Sequence, residues 1–91
     1  MRRDIIDLLY TGDFISLCVY IYDVSETDEY KFYANVAPSD AHFDGKDIRL
    51  TVTSQESHME VKIPLGENIK YHKYSDCYEY MVDGKRYELY F

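Results

Sequence analysis

The chain has no tryptophan, only two cysteines (Cys18 and Cys77), two prolines, and no apolar run long enough to cross a bilayer. Each shortage excludes something. An isolated cysteine pair in an unsecreted chain reads as two free thiols rather than a bridge. The first thirteen residues, MRRDIIDLLYTGD, lack a long apolar core followed by a small-residue cleavage site, so the expected location is the cytoplasm, without membrane contact. Positive charge is also scarce. Ten Lys and Arg stand against seventeen Asp and Glu, for a net charge of −7, which disfavours direct binding of nucleic acid through its phosphates. There is no phosphate-binding glycine loop, nucleophile elbow or zinc cysteine pattern, and His42, His58 and His72 fall in different elements with no pair at ligand spacing. No catalytic residue, metal ligand or cofactor is expected, and the chain does not read as an enzyme.

Tyrosine is abundant, with eleven residues in a chain that is 46% hydrophobic. That content argues against disorder and for one folded domain over residues 1–91, with the aromatic side chains on half-buried sheet surfaces. The clearest local signal is Asp83-Gly84, between two alternating apolar and polar runs. A tight type I′ hairpin turn needs positive φ at both central positions, and Asp and Gly tolerate it. With Val82 opposite Lys85, the register puts Tyr78, Tyr80, Val82, Tyr87, Leu89 and Phe91 on one face. Cys77, Glu79, Met81, Arg86, Glu88 and Tyr90 then share the other. Placing Tyr74 opposite Cys77 extends this hairpin by a third strand, with Tyr71 across from Tyr80 and His72 across from Glu79.

Residues 3–10 carry Ile5, Ile6, Leu8 and Leu9 at helical spacing, with Asp4 at the start and Gly12 just beyond the end. Residues 14–24 alternate Ile15, Leu17, Val19 and Ile21 against Phe14, Ser16, Cys18, Tyr20 and Tyr22. Both faces are apolar, which predicts a central strand or one covered on both sides, with the helix as one cover and Cys18 as a small core residue. A second strand follows the polar turn 25–29, with Tyr30, Phe32, Ala34 and Val36 on one face. Residues 37–46 read as the one substantial loop. Strands 47–53 and 58–65 pair so that Thr53 faces His58, which places Ile48, Leu50, Val52, Met59, Val61 and Ile63 on a single face.

The fold class is therefore mainly β (α+β): a short N-terminal helix, residues 3–10, packed on an antiparallel meander of about seven strands. Those strands lie at about 14–24, 30–36, 47–53, 58–65, 69–74, 77–82 and 85–91, as an open coiled sheet or a small barrel. Its last strand would be an edge, because the chain ends at Phe91.

The row His72, Glu79 and Glu88 on the polar face of the closing strands has the donors for a divalent metal or an acid and base pair. A solvated face on which Lys70, Lys73 and Arg86 offset the carboxylates is the favoured reading. The acid excess lies in the first half, where ten acids precede Ile48 against four bases. Carboxylates on loops and strand ends there, Asp23, Glu26, Asp28, Glu29, Asp40, Asp44 and Asp47, together with Tyr20, Tyr22 and Tyr33, are the candidate partner-binding residues. Such carboxylates can imitate phosphates to a protein with a basic surface. In size, acidity and lack of catalytic motif the chain resembles small phage or mobile-element inhibitors such as the anti-CRISPR proteins. The resemblance implies a non-enzymatic module that blocks a basic nucleic-acid-binding protein. The alternatives are a homo-oligomeric subunit joined through an open sheet edge, and a small metal- or ligand-binding β domain.

Overall fold

The computed structural model describes residues 4–25 and 29–91. Helix α1 (Ile5–Thr11) begins where the Asp4 side chain accepts a hydrogen bond from the Ile6 amide at 2.8 Å, and Gly12 ends it by donating its own amide to the Leu8 carbonyl. Eight strands follow: β1 (Leu17–Asp23), β2 (Phe32–Val36), β3 (Ala41–Phe43), β4 (Asp47–Thr53), β5 (His58–Pro64), β6 (Lys70–His72), β7 (Cys77–Val82) and β8 (Lys85–Tyr90). They form two antiparallel sheets, one of five strands in the order β2-β1-β8-β7-β6 and one of three in the order β3-β4-β5.

Alternation decides which side chains turn inward. From the large sheet come Leu17, Val19, Ala34, Val36, Tyr78, Tyr80, Tyr87 and Leu89, and from the small one Phe43, Ile48, Leu50 and Ile63. Ile5, Leu8 and Leu9 of α1 complete this single core, and the helix packs against β3. Local expectations hold where turns set them. Asp83 and Gly84 take φ of 50° and 76°, and β7 pairs β8 in the expected register from Cys77–Tyr90 to Val82–Lys85. The β4–β5 register, Thr53 with His58 through Asp47 with Pro64, also matches. Both cysteines are free.

Several expectations are corrected. The mainly β class with its short N-terminal helix holds, and of the two expected forms the open one is found rather than the barrel, but the strands divide between two sheets instead of running as one meander. After the β1–β2 hairpin the chain crosses to build the small sheet, then returns, so that β8 lies between β1 and β7. The last strand is thus central, and β1 is central as its two apolar faces predicted. The expected loop 37–46 contains a 3₁₀ turn, Pro38–Asp40, and the strand β3. A tight turn with Gly45-Lys46 at its centre closes its hairpin with β4. Asp44 Oδ1 accepts the Lys46 and Asp47 amides at 2.9 and 2.8 Å, and Gly45 takes φ 97°.

The turn before β7 is longer than expected, which slides β6 by two residues, so Tyr71 faces Tyr78 and His72 faces Cys77. An even shift keeps every side chain on its face. Strand β1 starts only at Leu17. Phe14 instead packs edge-on against the Phe91 ring at 5.1 Å, and Ile15, expected on one face with Leu17 and Val19, is 94% exposed. Cys18 is half-buried on the outer face rather than in the core.

One close approach has a measurable consequence. Gly66 lies under Tyr80, so an added Cβ would sit 2.7 Å from Tyr80 Cδ2 and 2.9 Å from Val82 Cγ2. Tyr80 cannot swing away freely, because it is 2% exposed and its hydroxyl donates to the Pro64 carbonyl at 2.7 Å. Gly66→Ala is expected to cost about 2 kcal/mol by overpacking, read from the urea midpoint. A neutral substitution would show that the Tyr80 ring has room to move.

Candidate functional site

The outer face of the five-stranded sheet follows from the register. Side chains two residues apart along each strand share a face, so rows can be read across neighbouring strands. One row runs Asn35, Cys18, Tyr90, Cys77, His72, and the next Tyr33, Tyr20, Glu88, Glu79, Lys70. A third holds Tyr22, Arg86 and Met81. The β2–β1 half of the face is aromatic, and the β8–β7 half is charged.

The aromatic half is one connected cluster. Tyr20 touches Tyr33 at 4.8 Å between ring centroids, Tyr30 at 5.3 Å and Tyr90 at 5.6 Å, and Tyr30 also meets Tyr22 and Tyr33. Helix α1 does not cover it, since its apolar side is spent in the core beside β3. Tyr30 and Tyr33 are left 52% and 44% exposed. Tyr30 is a further correction: alternation put it on the core face with Phe32. Strand β2 begins only at Phe32, and the irregular backbone before it lets the Tyr30 ring cross to the outside.

In the charged half, Arg86 Nη1 lies 3.2 Å from both Glu79 Oε2 and Glu88 Oε2. Its guanidinium also stacks over the Tyr22 ring, 4.3 Å from the centroid. His72 Nε2 reaches Glu79 Oε1 diagonally at 3.0 Å, and the Tyr90 hydroxyl donates to Glu88 Oε1 at 3.2 Å. Burial alone would push the Glu79 carboxyl up, but the hydrogen bonds and charges of His72 and Arg86 outweigh it and hold it below the ordinary value. Burial raises the Tyr90 and Tyr22 hydroxyls, and the neighbouring Glu88 raises both further. These tyrosines stay neutral donors. The row His72, Glu79, Glu88 is thus brought together, with Arg86 between the carboxylates where a cation would otherwise sit. Among the described residues, no group of three or more His, Cys, Asp or Glu is placed to hold a metal ion.

The predicted partner-binding residues divide. Tyr20, Tyr22 and Tyr33 come together on this face. Glu29 is exposed one residue before Tyr30, whereas Asp23 closes β1 opposite Lys85 on the other face. Glu26 and Asp28 lie outside the described residues. Asp40 ends the 3₁₀ turn. Asp44 and Asp47 belong to the small sheet and serve its own structure: Asp44 caps the β3–β4 turn and pairs with Arg49 at 3.5 Å, and Asp47 lies 3.9 Å from Lys62. Sequence reasoning left out Tyr30, Arg86 and Glu88 as partners of the tyrosines, while Tyr90 reads onto the same outer face as Tyr20, Tyr22 and Tyr33. Alternation put Arg86 and Glu88 on that face too, but their meeting with Tyr20 and Tyr22 requires the β1–β8 pairing, for which no local signal exists.

The chain is thus an open two-sheet α+β protein with an aromatic sheet face that no described element covers. No family model, curated protein or solved structure matches it. No helix among the described residues is long and apolar enough to cross a membrane.

Proposed function

We propose that the chain is a non-enzymatic protein-binding module that docks a basic partner on the outer face of its five-stranded sheet. The observation that carries this reading is the treatment of Arg86: the face stacks that guanidinium on a tyrosine and neutralises it with two carboxylates. Tyr30 and Tyr33 extend the same chemistry into solvent with no cation of the described residues stacked on them, and exposed tyrosine at such a patch is the usual anchor of a contact. The net charge of −7 favours encounter with a positively charged protein. A nucleic-acid-binding protein has such a surface, and covering it would inhibit that protein.

The test uses protamine as a basic probe, titrated calorimetrically across a salt series. Affinity should fall as salt rises, and the double substitution Tyr30→Ala, Tyr33→Ala should weaken it at least about tenfold, the loss expected of hot-spot tyrosines. Salt-independent affinity, or full affinity in a folded double variant, would rule out this docking face.

A further inference from the structure

Of the four sheet edges among the described residues, three are guarded against a further strand. Strand β3 is only three residues long and follows the 3₁₀ turn directly. Strand β5 carries Glu60, Lys62 and Pro64, and β6 is three residues with Lys70 at its start. Short edges, charges and proline are the devices that keep strand edges from pairing. Strand β2, Phe32–Val36, has none of them: five residues with neither charge nor proline inside, Lys31 and Pro38 standing outside its ends. One side of β2 pairs with β1, and no described strand pairs with the other. The unguarded edge is also the border of the tyrosine cluster, since Tyr33 belongs to β2 and Tyr30 precedes it.

Resting on the docking reading above, we infer that the partner binds by strand addition: an extended segment pairs with β2 as a sixth strand and turns arginine side chains onto Tyr33 and Tyr30. Adjacent strands lie about 4.8 Å apart, so an outward side chain in register with Tyr33 is beside its ring. Arg86 over Tyr22 shows the stacking this face makes. Alternate residues of the segment point to the other side, where Phe32 is half-buried at the rim of the core. The recognised pattern is therefore alternating arginine and apolar residues over about five positions, the length of β2.

Charge selects this occupant over a second copy of the chain. Two-fold pairing of β2 with itself about Ala34 would turn Glu29 of each copy toward the end of the other that carries Asp40. Both molecules would also bring a net charge of −7. Like charges so placed oppose association, whereas an arginine-bearing segment meets Glu29 favourably.

The experiment titrates the full chain with a peptide whose core is Val-Arg-Val-Arg-Val, which sets arginines opposite Tyr33 and Asn35 and valines opposite Phe32, Ala34 and Val36, and with the same peptide N-methylated at the residues that pair with β2. Hydrogen exchange should show new protection at β2 amides. N-methylation removes backbone donors without altering side chains or charge, and should weaken binding about tenfold or more. Equal affinity of the two peptides, with loss on Tyr30→Ala, Tyr33→Ala, would overturn strand addition while leaving the docking face intact. No binding of either peptide, with protamine binding and its tyrosine dependence retained, would also overturn it. If protamine fails as well, the docking reading falls first. Sedimentation showing a dimer with protected β2 amides in the absence of peptide would assign the edge to self-association instead.

Discussion

Leu89→Ala is expected to destabilise the protein by about 3 kcal/mol, seen as a lower urea midpoint with an unchanged slope. Leu89 has no exposed surface and sits inside β8, one residue before its end, opposite Val19 on one side and Tyr78 on the other. Truncation removes three buried carbons from a place where neither flanking strand can collapse without breaking its hydrogen-bond ladder, so most of the cavity persists. A loss of this size is a large share of the total stability of a 91-residue domain. The measurement also discriminates between topologies. Were β8 an edge strand, Leu89 would have one strand neighbour instead of two, and truncation would cost well under the expected amount. A loss below about 1 kcal/mol would therefore contradict the β1–β8 pairing.

Arg86→Ala is the second large effect, and it carries a pH signature. Glu79 and Glu88 face each other directly on adjacent strands, with side chains only 18% and 15% exposed, and the same Arg86 nitrogen lies 3.2 Å from both. Like charges opposed across a ladder are unfavourable, and removing the shared cation leaves two carboxylates already partly taken out of water. The expected loss near neutral pH is about 3 kcal/mol. The sign with pH follows from Glu79. In the intact protein its carboxyl is held below the ordinary value, so its stabilisation is complete above the usual carboxylate range and is lost as the pH falls through its lowered value. In the variant the repulsion between carboxylates is relieved when one takes up a proton, so the gap between variant and intact protein should narrow in acid. Arg86→Ala combined with Glu88→Gln should recover part of the loss at neutral pH, since it removes the opposed charge. A destabilisation independent of pH, unrelieved by Glu88→Gln, would show that Arg86 acts through its packing on Tyr22 alone.

These expectations bear on why the face exists in this form. Arg86, Glu79, Glu88 and the Tyr90 hydroxyl pair with one another, so the charged half is a floor of paired groups rather than an open charge cluster. Arg86 Nε makes no hydrogen bond among the described residues. The exposed tyrosines beside this floor are held by neighbouring rings. A partner stacking there would lose little side-chain freedom on the tyrosine side, which favours tight contact from a small area.

How far the sequence was legible varied with the range of the interaction. Asp83-Gly84 specified the β7–β8 register, because positive φ at both turn residues leaves few ways to join the strands, and that register sorted every side chain between the faces. Asp44-Gly45 also marks a hairpin, but there Gly45 alone takes positive φ and the Asp44 side chain caps the turn. It was obscured because the strand before it has three residues and Pro38 shortly upstream suggested a loop. The β6 slide by two residues kept the faces correct while changing the partners, so His72 met Glu79 diagonally instead of directly. Tyr30 went to the wrong face because alternation was extended past the true start of the strand.

The amino-acid sequence by itself determined the helix, the β4–β5 and β7–β8 hairpins with their registers, and most of the side chains that face inward. All of these depend on a turn residue's allowed φ or on a period of two, and both are settled within a few residues of chain. Only the tertiary structure decided that β1 lies beside β8, that the strands divide into two open sheets, and that α1 joins the core and leaves the tyrosines uncovered. Backbone ladders are chemically alike whichever strands they join. The choice between distant partners rests on how the whole set of apolar faces closes over one core, and no local pattern records it.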